Sequence, residues 1–172
     1  MAIDDLINEL DTWINAIDEY DFQQLCVKPS ENSWSLGQVY MHLIAETTHY
    51  IAQIQICLST NDNSHEEAFS HGKWMLQNNS FPDEIIEGPS TNALTLQPDS
   101  KEQLGSHLMK LKAEINNIGM LLQKNSYKGK TKHPGLNYFN ANEWCQFAEM
   151  HFRHHLRQKK RLDEYLIINS YM

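Results

Sequence analysis

The sequence lacks the marks of membrane, secreted and nucleic-acid-binding proteins. No apolar run approaches the roughly 20 residues that cross a bilayer, and the acidic, amphipathic N-terminus does not resemble a secretion signal. The three cysteines are far apart and form no CxxC pair, which is typical of reduced thiols. The chain has 14 basic and 22 acidic residues, and this excess of acidic residues argues against a nucleic-acid-binding surface. We therefore expect a cytoplasmic protein without membrane or nucleic-acid partners.

Two common hydrolase motifs are absent as well. There is no GxSxG nucleophile motif, and Phe152 stands where an HExxH peptidase carries its general-base glutamate. The chain also has no internal repeat and no convincing alternation of apolar and polar residues flanked by hairpin turns. Its 172 residues fit a single domain, residues 1–172, that is long enough to bury its own core.

Apolar residues recur at helical spacing in four long segments. The predicted helices cover about residues 2–25, 35–58, 99–122 and 140–166. Helices of this length suit an all-α fold, a four-helix bundle whose sites lie on facing helices. The sequence therefore predicts this bundle with a long connection between its second and third helices.

Capping signals mark where these helices begin. Ser35 is followed three residues later by Gln38, and Asn140 by Glu143, which is the pattern of a capping box. The third helix follows Pro98 and is capped by Asp99 or Ser100.

Two long connections are candidate walls of a functional site. The first, residues 59–98, has a short helix predicted at 64–74 and carries Trp74, Phe81 and Pro82. The second is the loop at residues 125–139. Long ordered connections in compact domains are often functional, so we expect a cavity bordered by residues 70–98 or 125–139.

Three histidines are placed where a helical protein would bury them. His151 and His155 are one turn apart and therefore project from the same face of the last predicted helix. His42 lies at the border of the apolar stripe of the second helix. A shared divalent metal ion is the commonest reason for such histidines to meet. His49 and His154 are discussed next. The remaining histidines are interpreted as surface or loop residues: His65, His71, His107 and His133.

Further polar residues follow these histidines at helical spacing. Glu46 and His49 lie on the same side of the second helix as His42, and they are the candidates for proton transfer. Gln158 follows His155 by about one turn and is interpreted as support for that ring rather than as a ligand. His154 is offset by about 100° from His155, which indicates a helix boundary or a supporting role.

Two segments resemble motifs of a known family. Residues 34–43, WSLGQVYMHL, look like the WSxGQxxxHL entrance to the second helix of the DinB/YfiT-like family. Residues 151–158, HFRHHLRQ, look like the terminal HxxHHxxQ segment of that family. The resemblance implies a four-helix bundle that holds one metal ion through His42, His151 and His155. Characterised relatives include thiol-dependent S-transferases, a mycothiol-dependent isomerase and proposed metal-dependent hydrolases.

These observations predict a metal-dependent enzyme that acts on a small molecule. Zinc or nickel is the expected ion, with iron as another option, since imidazole ligands suit all three. The ion could lower the pKa of a bound water for hydrolysis, or bind a low-molecular-weight thiol as thiolate for transfer. The rival hypothesis is a non-catalytic module that binds a small ligand or a partner and is stabilised by its metal. A homodimer is compatible with either hypothesis.

Overall fold

The computed structural model of the chain describes residues 2–82 and 94–169, and these are mostly helical. The helices are α1 Ala2–Ala16, α2 Phe22–Cys26, α3 Leu36–Cys57, α4 Ser70–Asn78, α5 Lys101–Lys124 and α6 Ala141–Asn169. A 3-10 turn, Ile17–Glu19, follows α1, and one hairpin is formed by β1 Lys130–His133 and β2 Asn137–Asn140. This composition agrees with the predicted all-α class. Within the described ranges, no helix is both long enough and apolar enough to cross a membrane.

The long helices pack through a shared aromatic core. Helix α6 lies against α1 and α3, and α5 lies against the same two helices. The ring centroids of Trp13 on α1 and Tyr40 on α3 are 5.1 Å apart, and Phe152 on α6 is 6.4 Å from Trp13. The Tyr40 hydroxyl donates a hydrogen bond to the Trp13 carbonyl oxygen at 2.9 Å. These contacts fix α3 against α6, the two helices that carry the candidate ligands.

The first predicted helix is wrong beyond Ala16. The chain turns there, and α2 begins afresh after Asp21, whose side chain accepts a hydrogen bond from the Gln24 backbone N–H. The Gln24 side chain accepts from the Asp21 N–H in return, so this capping box satisfies the start of a separate helix. Ile17 and Leu25 are nevertheless buried, as their spacing predicted. The apolar pattern located the core but not the break.

The predicted starts of α3 and α6 are confirmed. The Ser35 hydroxyl accepts from the Gln38 backbone N–H at 3.1 Å, and the Gln38 side chain accepts from the Ser35 N–H at 3.1 Å. Asn140 and Glu143 exchange the same pair of hydrogen bonds at 3.0 and 2.8 Å. Capping of this kind fixes the residue at which each helix begins, and therefore the direction of every later side chain.

Two other boundaries differ in detail. Of the two residues proposed to cap α5, Ser100 accepts the Gln103 backbone N–H, at 3.0 Å. The short helix predicted at residues 64–74 begins later and is α4, Ser70–Asn78, because the residues before it form turns.

The hairpin was not predicted from the sequence. Each strand has four residues, and the residues of β1 are Lys, Thr, Lys and His, which show no apolar alternation. Its pairing is fixed by tertiary contacts, among them a 2.7 Å hydrogen bond from Trp144 Nε1 to Thr131 Oγ1. The hairpin thereby brings His133 against α6.

We predict opposite effects of two glycine-to-alanine substitutions. A Cβ on Gly37 in α3 would lie 2.8 Å from Pro98 Cδ and 2.9 Å from the Leu25 carbonyl oxygen, whereas one on Gly105 in α5 would meet nothing within 4 Å. Gly37→Ala should therefore lower the free energy of unfolding by about 1–3 kcal/mol. The matched control Gly105→Ala should raise it by about 0.5–1 kcal/mol. Urea unfolding measures both, and equal effects would contradict the close approach at Gly37.

Candidate metal centre

Three imidazole rings converge between α3 and α6. His42 Nε2 lies 3.2 Å from His151 Nε2, and His155 Nε2 lies 3.1 Å from the same atom. The ligand atoms that the three side chains offer all lie within 4.8 Å of one another. His42 and His155 are each 8 % exposed, and His151 is partly buried. The three histidines are therefore close enough together to bind one metal ion.

Helix geometry explains why these side chains meet. His151 and His155 are four residues apart on α6, and their ring centroids are 4.7 Å apart. His42 lies within the first two turns of α3, whose start is set by the cap at Ser35. Packing of α3 on α6 then brings the His42 ring to 5.1 Å from His151 and 5.0 Å from His155.

Hydrogen bonding among neutral rings cannot account for the two short contacts. His155 Nδ1 lies 2.8 Å from Gln158 Oε1, so the ring proton sits on Nδ1 and Nε2 carries a lone pair. His151 Nε2 can donate one proton to His155, but it then has no lone pair left to accept a proton from His42. One of the two contacts therefore has no hydrogen bond. A cation bound by the lone pairs of all three Nε2 atoms would account for both contacts.

Two of the three nitrogen–nitrogen distances fit a tetrahedral zinc ion. Two imidazole nitrogens bound to zinc at 2.0–2.1 Å would be about 3.3 Å apart, close to the 3.1 and 3.2 Å that separate His151 Nε2 from the Nε2 atoms of His155 and His42. Among the residues that the structure describes, no fourth histidine, cysteine or carboxylate joins the group. A site with three protein ligands keeps a position open for another molecule, as catalytic zinc sites do.

Burial keeps the three rings neutral, which metal binding requires. Desolvation lowers the pKa of His42, and it lowers the pKa of His151 well below its usual range. The pKa of His155 falls to about 3, first through desolvation and then through the charge of His42. The nearby Glu46 carboxylate partly offsets the effect of burial on the pKa of His42. The ligand lone pairs are therefore free of protons at neutral pH.

Of the two candidates for proton transfer, Glu46 is the one whose charge acts on a ligand histidine. Its side chain is partly buried, its charge acts on His42, and Oε2 accepts a 3.1 Å hydrogen bond from the Tyr50 hydroxyl. His49 is exposed, and its ring lies 6.0 Å from Tyr50 and 6.1 Å from Trp144. Their catalytic roles remain predictions.

Aromatic rings from two loops lie against the ligand histidines. The Trp34 centroid is 5.0 Å from that of His42, and the Phe81 centroid is 6.2 Å from that of His151. Phe81 belongs to the predicted wall, whereas Trp34 is marked in the sequence only as the first residue of the motif at residues 34–43. Trp74, predicted for the same wall, is 46 % exposed, and no ring contact among the described residues joins it to these histidines.

His133 is a correction to the sequence interpretation. The sequence interpretation places it on the surface or in a loop, but it lies in β1 and is partly buried, with its ring 4.8 Å from Phe147 and 5.5 Å from Trp144. The Gly135 backbone N–H donates to His133 Nδ1 at 3.1 Å. Burial lowers the pKa of His133 to about 4. The position of His133 depends on the hairpin, which the sequence did not reveal.

The other histidines lie outside the ligand cluster. His65 and His71 are exposed, as predicted, whereas His107 is partly buried. His154 is partly buried too, and its ring lies 5.4 Å from that of His155.

For the cavity predicted beside the ligand histidines, the structure describes only residues from its two predicted walls. Phe81, from the first predicted wall, contacts His151, and His133, from the second, packs on Phe147. Residues 83–93 fall outside the described part of the chain. Two cavities, of about 340 and 240 Å³, are found elsewhere, and none of the three ligand histidines lines them. The cavity therefore stays a prediction.

Comparison with known proteins adds no family assignment. No family model matches the chain, and no curated protein matches it either. The interpretation of the centre consequently rests on its own geometry.

We predict that the metal-free protein loses stability in acid because of His155. Its pKa is about 3 in the fold and about 6.5 in an unfolded chain, so the unfolded state binds more protons between these pH values. Stability should therefore fall as the pH drops below about 6.5. Between pH 7.5 and pH 5, the free energy of unfolding of the wild type should fall by about 2 kcal/mol more than that of His155→Gln.

Urea unfolding in the presence of a chelator at the two pH values measures this difference. The exposed His65 provides the control, because His65→Gln should unfold in parallel with the wild type. A difference between the wild type and His155→Gln that does not change with pH would contradict the burial argument.

Proposed function

We propose that the chain is a metal-dependent enzyme of the DinB/YfiT-like type, acting on a small molecule. The observation that carries this proposal is the convergence of three Nε2 atoms. Hydrogen bonds between neutral rings cannot account for both of the short contacts among them. Zinc or nickel is the proposed ion, with iron as another option, since imidazole ligands suit each of them. The way in which α5 and α6 each pack on both α1 and α3 supports the four-helix bundle that the family resemblance implies.

A divalent ion at this centre would supply Lewis-acid chemistry, which lowers the pKa of a bound water or thiol. The chain contributes the orientation of the ligands. Gln158 holds the His155 ring with Nε2 toward the centre, and the Trp34 ring packs on His42. A hydrogen bond to the second ring nitrogen of a ligand histidine fixes its tautomer and its direction.

Glu46 is the proposed proton acceptor. Hydrolysis and thiol transfer both begin with a nucleophile that gives up a proton, and the Glu46 carboxylate lies one turn beyond His42. The Tyr50 hydroxyl holds one carboxylate oxygen in place. His49 is exposed one turn further along α3 and would pass the proton to solvent.

The rival proposal is a non-catalytic binding or interaction module. A structural metal site is closed by four protein ligands, whereas three are found here among the described residues. The partial exposure of His151 also favours access by a second molecule. Both observations support an open site over a metal-stabilised interaction module, and turnover separates the enzyme from a module that binds a small ligand.

We predict that the protein binds about one divalent ion per chain. After incubation with zinc or nickel and removal of free metal, elemental analysis should find this stoichiometry for the wild type. Alanine at His42, His151 or His155 should reduce it severely, because each variant removes one of three ligands. The exposed His65 and His71 are matched controls, whose alanine variants should retain the ion. A wild type that holds no stoichiometric metal at neutral pH would refute the proposal.

Substitution of Glu46 should lower the activity but leave the metal content unchanged. In a panel of ester substrates and thiol-conjugation electrophiles, we expect turnover that a chelator abolishes. Glu46→Gln should lower it by about 100-fold or more, since a positioned acid or base contributes on that order. The exposed Glu164 gives a control variant, Glu164→Gln, which should keep full activity. Full activity of metal-loaded Glu46→Gln would exclude the assigned role, and a metal-loaded wild type without any turnover would favour the binding module.

A further inference from the structure

Trp34 and Phe81 border the metal centre from two different loops. Trp34 immediately precedes the capping residue of α3, and Phe81 follows α4. Trp34 contacts His42, while Phe81 contacts His151 and also His154, at 5.1 Å between centroids. Together they bring an aromatic ring to one ligand from α3 and one from α6.

Both rings are held in place and yet remain accessible. Each is only partly buried and packs against the hydrophobic core. Phe81 rests on Phe147, 5.2 Å away between centroids, and Phe147 in turn contacts Tyr50 at 5.5 Å. Phe147 and Tyr50 are 5 % and 4 % exposed, so they form a rigid support behind Phe81. Each loop ring therefore offers a preformed apolar face next to a ligand histidine.

Charged groups lie near both rings. The Glu46 carboxylate acts on His42, which Trp34 contacts, and the charges of Arg157 and Arg161 act on His154, which Phe81 contacts. The faces that Trp34 and Phe81 themselves present beside His42 and His151 are aromatic.

We propose that Trp34 and Phe81 bind a planar aromatic group of the substrate, carried next to the group that binds the metal. This inference rests on the proposed function and adds the class of substrate. Aromatic rings prefer stacked or edge-to-face neighbours, and each such pair contributes beyond the burial of its area. One or two such contacts correspond to a preference of about tenfold for an aromatic ligand over an aliphatic one with the same head group.

Two hydroxamates test the preference with the same metal-binding head. Acetohydroxamate carries a methyl group, and benzohydroxamate carries a phenyl ring. The protein is loaded with cobalt(II), whose visible absorption reports on its ligands, and is titrated with each compound. We expect benzohydroxamate to bind about tenfold more tightly than acetohydroxamate.

Variants assign that preference to the two loop rings. Phe81→Ala and Trp34→Ala should bind acetohydroxamate like the wild type but lose most of the preference for benzohydroxamate. The chain offers matched controls in Phe69 and Trp74, which are 57 % and 46 % exposed and make no ring contact with the ligand histidines among the described residues. Phe69→Ala and Trp74→Ala should keep the full preference.

Phe81→Leu covers the case in which alanine disturbs the packing of His151. Leucine keeps apolar volume there without an aromatic ring, so the preference for benzohydroxamate should fall while cobalt content stays the same.

The outcomes separate this inference from the proposed function. Failure of the wild type to bind cobalt overturns both. A cobalt-loaded wild type that binds the two hydroxamates equally overturns only the aromatic subsite. So does a loop variant that weakens both compounds alike, because the ring would then serve only to position a ligand histidine. Selective loss in the loop variants, with intact controls, supports the subsite.

Discussion

The candidate metal centre depends on one electrostatic constraint, the approach of three imidazole nitrogens within a partly buried space. His151 Nε2 faces both His42 Nε2 and His155 Nε2 at hydrogen-bond distance, yet the tautomer fixed by Gln158 leaves only one of the two contacts a proton. Burial prevents the usual relief, which is protonation, because it lowers the pKa of each ring. A divalent ion removes the conflict and would couple the packing of α3 on α6 to the chemistry of the site.

Much of this arrangement could be predicted because it depends on local rules. The capping pairs at Ser35 and Asn140 set the starts of α3 and α6, and both are formed as the sequence indicates. The four-residue spacing of His151 and His155 fixes them on one face of α6. The contribution of His42 is a long-range contact, which followed from the apolar stripe of α3 together with the family resemblance.

The features that escaped prediction all depend on tertiary contacts. Helical periodicity continues across the break after Ala16, because Ile17 and Leu25 stay buried when the chain turns. The hairpin has no alternating pattern, and its pairing depends on contacts such as that between Trp144 and Thr131. His133 could not be recognised as part of the aromatic surroundings of the site while that hairpin was unknown. Short strands and helix breaks carry weak local signals, and distant residues decide them.

Anomalous diffraction from crystals grown with zinc or nickel tests the central claim most directly. The account predicts one strong peak per chain, about 2.0–2.1 Å from the Nε2 atoms of His42, His151 and His155. It also predicts that no protein atom occupies the remaining coordination position. A peak bound elsewhere, no peak at these nitrogens, or a fourth protein ligand that closes the site would contradict it.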